Sequence, residues 1–458
     1  MIKFFIDQHG CAKNRVDGEI LATHLSKTSK YELAENAEDA DLIIINSCGF
    51  IKSAKEESVN ALLDAKSAYP DKKVILAGCL SERYAELFSE SLVEADGIMG
   101  NGDLSDIVSV CDSVMKKDRP VVKSPQKGVS FCMREVSFGF KNSAFVKITE
   151  GCSNHCSFCA IPIIRGELRS REAESILDEI RTLVKNGTYE INLIGQDLAA
   201  YGTGVDDEEI RQSLSQETGE GFSPLASLMK LISKIEGDFV VRLLYIHPDH
   251  FNFDVLEVMK EDSRFLHYFD IPFQSGSTDI IKKMNRVGTQ EIYTRMISKM
   301  REIFPDMILR TTFMTGFPGE KKKNFEETAA FLKEIKPDWS GCFDYSREDD
   351  TPAYSFKPRV FKRTAKKRAD ILVDIQSRIT EEKLQSHVGK IYSIIIEEVI
   401  PNEDECLAIG RAWFQAPEVD GAVVVRYEEE DNAKVFEGAV VQAKILAVTG
   451  VDLDSRLV

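Results

Sequence analysis

Two long stretches of this 458-residue chain alternate short apolar runs with helical spacing, and that alternation restricts the fold more than any other feature. Parallel strands need a crossover between them, usually a helix, and a strand covered on both faces reads as a continuous apolar run. In the first 110 or so residues the strand runs are Ile2–Ile6, Asp41–Asn46, Lys73–Ala77 and Asp96–Met99. Helical spacing over Val16–Leu25 and Ser53–Ala68, and a helix opening at Glu82–Leu87, separate them. From about 140 to 355 the runs are Ala144–Ile148, Glu190–Ile194, Val240–Leu244, Phe269–Ile271, Met307–Phe313 and Gly341–Tyr345. Helices are expected over Ala173–Lys185, Leu225–Ile235, Thr278–Met284, Thr289–Ile303 and Asn324–Ile335. The fold class is therefore α/β: a parallel α/β domain followed by a partial or full β/α barrel. Ser124–Gly128 reads as a linker, and residues 205–223 (VDDEEIRQSLSQETGEGFS) read as a mobile acidic insertion. Beyond 386, short strands at Ile391–Glu397, Cys406–Trp413, Ala422–Arg426 and Val440–Val448 predict a small β-barrel. The expected division is 1–124, 138–378 and 380–450.

Charge and hydropathy narrow the function classes. Lys and Arg total 58 against 75 Asp and Glu, a net charge of −17. Such a balance argues against gripping nucleic acid over most of the surface, though not against a local basic groove. No apolar run approaches the roughly 20 residues of a membrane span, and Met1–Asp7 lacks a signal-peptide core. A cytoplasmic protein without a membrane partner is expected. In a reducing compartment its ten cysteines point to metal binding or catalysis rather than disulfides.

The sharpest motif is Gly151-Cys152-Ser153-Asn154-His155-Cys156-Ser157-Phe158-Cys159, with spacing C-x3-C-x2-C. Three thiolates on one short loop hold three irons of a four-iron cluster and leave the fourth iron open to a substrate or cofactor. The alternative, a structural zinc loop, lacks the second CxxC or His pair that such sites use. The loop follows the strand run Ala144–Ile148, which places it at the C-terminal mouth of the barrel, where barrel chemistry belongs. It resembles the signature of the radical S-adenosylmethionine (AdoMet) superfamily. The resemblance implies that AdoMet chelates the open iron and is cleaved by a low-potential electron to a 5′-deoxyadenosyl radical. It also implies that Phe158 sits beside the adenine and that Gly195-Gln196-Asp197 contacts the AdoMet amino group. Arg242, Arg310 and Gln274 are candidates for the AdoMet carboxylate or ribose, with a structural salt bridge as the alternative for each arginine.

Cys11, Cys48 and Cys79 each follow a strand and precede a helix. Parallel strands end on one edge of their sheet, so the three converge despite their separation in sequence. Lone cysteines are often small buried hydrophobes, but this repeated placement, with Gly10, Gly49 and Gly78 alongside, favours a second metal site. Gly10-Cys11-Ala12-Lys13-Asn14-Arg15-Val16-Asp17, Asn46-Ser47-Cys48-Gly49-Phe50 and Ala77-Gly78-Cys79 resemble the N-terminal domain of the methylthiotransferases. Matches continue through Ile161-Pro162, Arg165-Gly166, Arg169-Ser170-Arg171, Pro272–Ser277, Met284-Asn285-Arg286 and Thr315–Glu320, and the tail resembles that family's TRAM domain, which implies a small OB-like β-barrel. The resemblance implies two [4Fe-4S] clusters, one on Cys152, Cys156 and Cys159 and one on Cys11, Cys48 and Cys79. It further implies S-adenosylmethionine as methyl and radical source, and an electron donor such as flavodoxin.

Two branches of that family differ in substrate. One modifies adenosine in tRNA; the other modifies the β-carbon of an aspartate in ribosomal protein S-twelve. From Thr380 to Val458 there are 7 Lys plus Arg and 16 Asp plus Glu, so the tail carries −9. An acidic tail repels phosphate and favours a basic protein. Gly410–Phe414 with Ala416–Gly421 also resembles the protein-modifying branch, although Phe273 and Ser275 depart from its usual residues. The basic run Lys357–Arg368, with seven Lys and Arg, leads into a helix expected over Ala369–Lys383. It reads as a solvated helix linking barrel to tail, with contact to ribosomal RNA as the second reading. Cys111, Cys132, Cys342 and Cys406 read as structural.

Overall fold

The computed structural model describes residues 1–400 and 405–458. Its first sheet holds β1 (Ile2–Gln8), β2 (Tyr31–Leu33), β3 (Leu42–Ser47), β4 (Lys73–Gly78), β5 (Gly97–Met99) and β6 (Val121–Val122) in the order β2-β1-β3-β4-β5-β6. All its pairings are parallel. Helices α1 (Ala12–Ser26), α2 (Lys52–Ala68), α3 (Cys79–Ser91) and α4 (Ile107–Met115) make the crossovers. β3 is buried along its whole length, which is why it reads LIIIN without alternation. The short edge strands β2 and β6 and the helix α4 carry weaker patterns than the strand runs named above.

The second sheet is parallel and open: β7 (Ser143–Lys147), β10 (Glu190–Ile194), β11 (Val240–Leu243), β12 (Phe265–Asp270), β13 (Ile308–Thr315) and β14 (Trp339–Asp344), neighbours in that order. The barrel is thus partial. A two-stranded ribbon, β8 (Thr149–Glu150) with β9 (Arg169–Ser170), flanks the first strand. The outer helices are α5 (Ile161–Arg165), α6 (Ala173–Lys185), α7 (Glu208–Thr218), α8 (Pro224–Ile232), α9 (Asp254–Glu261), α10 (Thr278–Lys283), α11 (Gln290–Ile303) and α12 (Lys322–Ile335). Alternate strand residues such as Ile191, Leu193, Val241, Leu243, Leu309 and Phe313 pack outward against these helices in one continuous core.

Two expectations change here. The acidic stretch 205–223 is not a loop: α7 occupies most of it, held by Leu214 against the barrel core. The helix expected from Ala369 begins seven residues earlier: α13 (Lys362–Gln385) carries five of the run's seven cations in its first two turns, while Lys357 and Arg359 precede it. Beyond it β15 (Ile391–Ile400), β16 (Cys406–Arg411), β17 (Val423–Tyr427), β18 (Val440–Thr449) and β19 (Asp452–Leu457) form a closed barrel. β19 lies past the expected end at 450 and pairs with both β17 and β18, so it is the strand that closes the ring. No helix among the described residues is long and apolar enough to cross a membrane.

Candidate active site

The loop Gly151–Cys159 leaves the end of β8 and is pinned from several sides. Cys152 N–H donates to Gly166 O (3.1 Å), Ser157 N–H to Met284 O (3.0 Å), and Asn285 Nδ2 to His155 O (3.0 Å). Gly151 lies at φ +73°, and a Cβ there would stand 2.1 Å from Glu167 O, so only glycine fits the turn. Asp197 reaches back to the loop by accepting from Asn154 Nδ2 at 2.8 Å. The Gly-Gln-Asp motif and the cysteine loop are therefore one unit. Burial pushes the Asp197 carboxyl up, but its bond to His250 and the charges nearby hold it below the usual range. Thr149 Oγ1 and Gln196 Oε1, buried beside this unit, have no hydrogen-bond partner among the described residues.

All three loop cysteines are free thiols. Burial pushes Cys152 up to about 11 and Cys159 up to about 12, so a metal binding there would have to displace protons. His247 Nε2 lies 3.8 Å from Cys156 Sγ, while its Nδ1 accepts from the Asp249 N–H (3.2 Å). That bond sets the tautomer with hydrogen on Nε2, facing the sulfur. Burial, with Arg286 second, pushes His247 down to about 3, so it is neutral there.

Cys11, Cys48 and Cys79 meet at the edge of the first sheet. The register pairs Gln8 with Asn46 and Ser47 with Gly78, which brings the three strand ends side by side. Cys11 is the N-cap of α1 and Cys79 the first residue of α3, where helix dipoles favour a thiolate. The glycines beside them are close-approach positions. A Cβ on Gly10 would stand 3.0 Å from Cys48 Cβ, and one on Gly49 would stand 2.6 Å from Cys79 O. Asn14 clamps the edge, its Nδ2 donating to His9 O (2.6 Å), Asn46 O (3.1 Å) and Ser47 O (3.3 Å). Burial pushes Cys79 up to about 12. Burial also pushes Cys11 up, but Lys13 and Arg165 beside it outweigh that, and its net shift is downward. Cys11 keeps an accessible surface even so.

The two cysteine trios are joined by α5, which begins two residues after Cys159. Cys79, Ala160 and Ile164 share one small buried cluster. Arg165, at the end of α5, donates to Cys79 Sγ (3.1 Å), Asp17 (2.7 Å) and Glu150 (2.7 Å). Lys147 bridges the same two carboxylates at 2.5 Å each. Gln196 Nε2 donates to Glu150 (3.0 Å), so a chain of polar contacts runs from the Gly-Gln-Asp motif to Cys79. Sequence reasoning does not single out Arg165, Lys147, Glu150 or His250. Arg165 stands in a matched motif string, which is the available signal; the others are defined only by tertiary contacts, Lys147 with Asp17 and Glu150, Glu150 with Gln196, and His250 with Asp197.

A cavity of about 780 Å³ is lined by sequence neighbours of both trios, though by none of the six cysteines themselves. Phe50, two residues after Cys48, forms part of one wall, and Phe158 and Gln274 form part of the other. Gln274 sits at φ +67° and bridges to Phe313, which holds it at the mouth. Arg242 and Arg310 are not among the residues lining this cavity, and each makes the salt bridge that was its alternative reading. Arg242 is fully buried, pairs with Glu190 (2.8 Å), donates to Trp413 O (2.9 Å) and covers the Tyr268 ring. Arg310 pairs with Asp270 (3.0 Å) and Asp420 (3.4 Å). Both arginines bind the barrel interior to the C-terminal domain, because their strand positions lie below the mouth.

A free three-cysteine loop at the mouth of an open six-stranded β/α barrel, with an aromatic wall and the Gly-Gln-Asp unit beside it, defines a radical SAM protein. Residues 146–332 match the Radical SAM superfamily, residues 3–100 match Uncharacterized protein family UPF0004, and residues 388–458 match the TRAM domain. A Treponema denticola protein named ribosomal protein uS12 methylthiotransferase RimO is 51% identical over 98% of this chain and 99% of its own. Proteins of the same name from Desulfitobacterium hafniense (36%, covering 98% and 97%) and Thermotoga maritima (34%, covering 91% and 92%) also match. The chain belongs to the RimO family of methylthiotransferases and is a transferase. Among solved structures, the radical S-adenosylmethionine methyltransferase TsrM from Kitasatospora setae superposes with a TM-score of 0.53 at 12% identity. The match covers 77% of this chain and 76% of that one and shows a shared fold.

Proposed function

We propose that this enzyme adds a methylthio group to the β-carbon of an aspartate in ribosomal protein uS12. The observation that carries the reading is one cavity lined by sequence neighbours of both cysteine trios, Phe50 two residues after Cys48 and Phe158 between Cys156 and Cys159. The donor sets fit two clusters: each trio offers three free thiols, and the close-approach glycines leave room around Cys48 and Cys79. Cys152, Cys156 and Cys159 would hold a [4Fe-4S] cluster with S-adenosylmethionine on its open iron, and Cys11, Cys48 and Cys79 would hold a second. Bound together, these groups supply a radical able to take hydrogen from an unactivated C–H bond, and sulfur for the new bond. A one-electron donor such as flavodoxin would drive the reaction.

The chain's own residues position and shield. Phe158 packs among Ile280, Met284, Phe317 and Ala353, which fixes one apolar wall. His247 presents its Nε2 hydrogen to Cys156. Lys52, Arg347, Arg359 and Lys362 at the cavity rim offer cations for a substrate carboxylate. The acidic tail favours a basic protein over tRNA, and the relatives named above carry the uS12 name. The test incubates reconstituted enzyme with S-adenosylmethionine, a reductant, and either uS12 or tRNA, followed by mass spectrometry. A methylthio adduct on the protein alone is expected; an adduct on tRNA alone would sink the assignment.

A further inference from the structure

The acidic chain carries one concentrated basic ridge at its active-site mouth, and that ridge is electrostatically frustrated. Residues 357–368 hold seven Lys and Arg and no Asp or Glu. Only Arg368 is paired, with Glu320; among the described residues Lys357, Arg359, Lys362, Arg363, Lys366 and Lys367 have no carboxylate partner. Four of these cations lie in the first two turns of α13, which has no acidic residue in its first turn. A helix N-terminus is the positive end of the macrodipole, so cations there are unfavourable. Lys362 with Lys366 and Arg363 with Lys367 are like-charge neighbours at i,i+4, which is also unfavourable. Folding alone does not explain the arrangement, because the helix is anchored by Ala365, Ala369 and Leu372 on its other face.

Phe361 sits in the middle of the ridge, 84% exposed, at the N-cap of α13. Phe343 on the neighbouring cavity wall is 62% exposed. Cations interleaved with a bare aromatic ring suit a nucleic-acid strand, whose phosphates meet the cations while a base stacks on the ring. Arg359 and Lys362 belong both to the ridge and to the cavity rim. The tail, by contrast, carries −9. An acidic surface and a basic ridge on one enzyme match a partner that presents a basic protein among phosphates.

We propose that the ridge Lys357–Lys367, with Phe361, docks ribosomal RNA next to the modified protein, so that the enzyme works on a ribonucleoprotein particle. This deepens the uS12 reading and rests on it for the particle's identity. The probe is in-vitro-transcribed small-subunit ribosomal RNA, with binding measured between about 50 and 250 mM salt, the range over which phosphate neutralisation changes affinity steeply. The triple variant Arg363→Ala, Lys366→Ala, Lys367→Ala should lower the slope of log affinity against log salt by about two to three, at roughly 0.7–0.9 for each phosphate no longer neutralised. Phe361→Ala should weaken binding by about fivefold or more, up to about 150-fold, with the slope unchanged, as expected for a stacking interaction. The triple variant should melt no lower than wild type, since it removes repulsion. It should methylthiolate isolated uS12 at the wild-type rate while losing at least tenfold on intact small subunits. Equal salt slopes for wild type and triple variant would overturn the proposal. So would wild type that fails to bind the RNA, or that binds anionic phosphatidylglycerol vesicles as tightly. Wild type that binds RNA but leaves no adduct on either substrate would sink the uS12 reading and leave the RNA surface standing.

Discussion

Arg165 illustrates how one side chain links two chemical centres. Its guanidinium is buried and forks across Asp17, Glu150 and Cys79 Sγ. Truncating one member of a buried ion network strands the others without compensation. Arg165→Ala should therefore destabilise the iron-free protein by about 3–5 kcal/mol in denaturant unfolding. Arg165→Lys should recover only part of this, because an ammonium cannot fork. Unchanged stability for Arg165→Ala would show that Lys147 alone balances the two carboxylates. The same neighbourhood separates the thiols in reactivity. Lys13 and Arg165 outweigh burial at Cys11, while burial pushes Cys79 up to about 12. In iron-free protein at pH 8, iodoacetamide should label Cys11 well before Cys79, read by peptide mass spectrometry. Labelling in the reverse order would contradict the placement of these cations.

Among the elements, β10 carries the junction between the two barrels. Glu190, fully buried on it, accepts from Arg242 (2.8 Å) and from Arg411 of β16 (2.8 Å). Burial pushes its carboxyl up, but Arg411 and Arg242 outweigh this and hold it well below the ordinary value of 4.5. For a carboxyl depressed in the folded state, the stabilisation is complete above the unfolded value and drains away as pH falls through the folded one. Glu190→Gln should thus cost about 3–5 kcal/mol at pH 7, and its gap to wild type should narrow as pH drops below 4.5. A gap that does not change with pH would mean the pair contributes no net charge term. Element by element, the buried strands β3 and β4 were legible because LIII and VILA are short continuous apolar runs between turn signals. α7 was not, since a mostly exposed helix of acidic and polar residues looks like a loop until Leu214 is seen against the barrel core. β19 was missed because DLDSRL is too polar to signal a strand; its partners β17 and β18 make it one.

Across the whole molecule, the two proposed metal centres should be separable. The triple variant Cys152→Ala, Cys156→Ala, Cys159→Ala should keep about half of the iron and sulfide of the wild type, since the second trio is built on a different sheet. Iron falling to zero would refute a site at Cys11, Cys48 and Cys79. The local sequence determined the loop Cys152–Cys159 unaided, because ligands within eight residues of one another need no long-range fold to converge. It also determined the α/β alternation, the small β-rich tail and the uneven charge, all of which are properties of short windows. Tertiary structure decided the rest. Strand order brought Cys11, Cys48 and Cys79 to one sheet edge. The packing of α5 against α3 set Arg165 between the two trios. Strand register turned Arg242 and Arg310 away from the mouth and into the C-terminal interface. The physical reason is the same in each case: these contacts join residues tens to hundreds of positions apart, and side-chain direction and domain packing, which no short window encodes, determine what they touch.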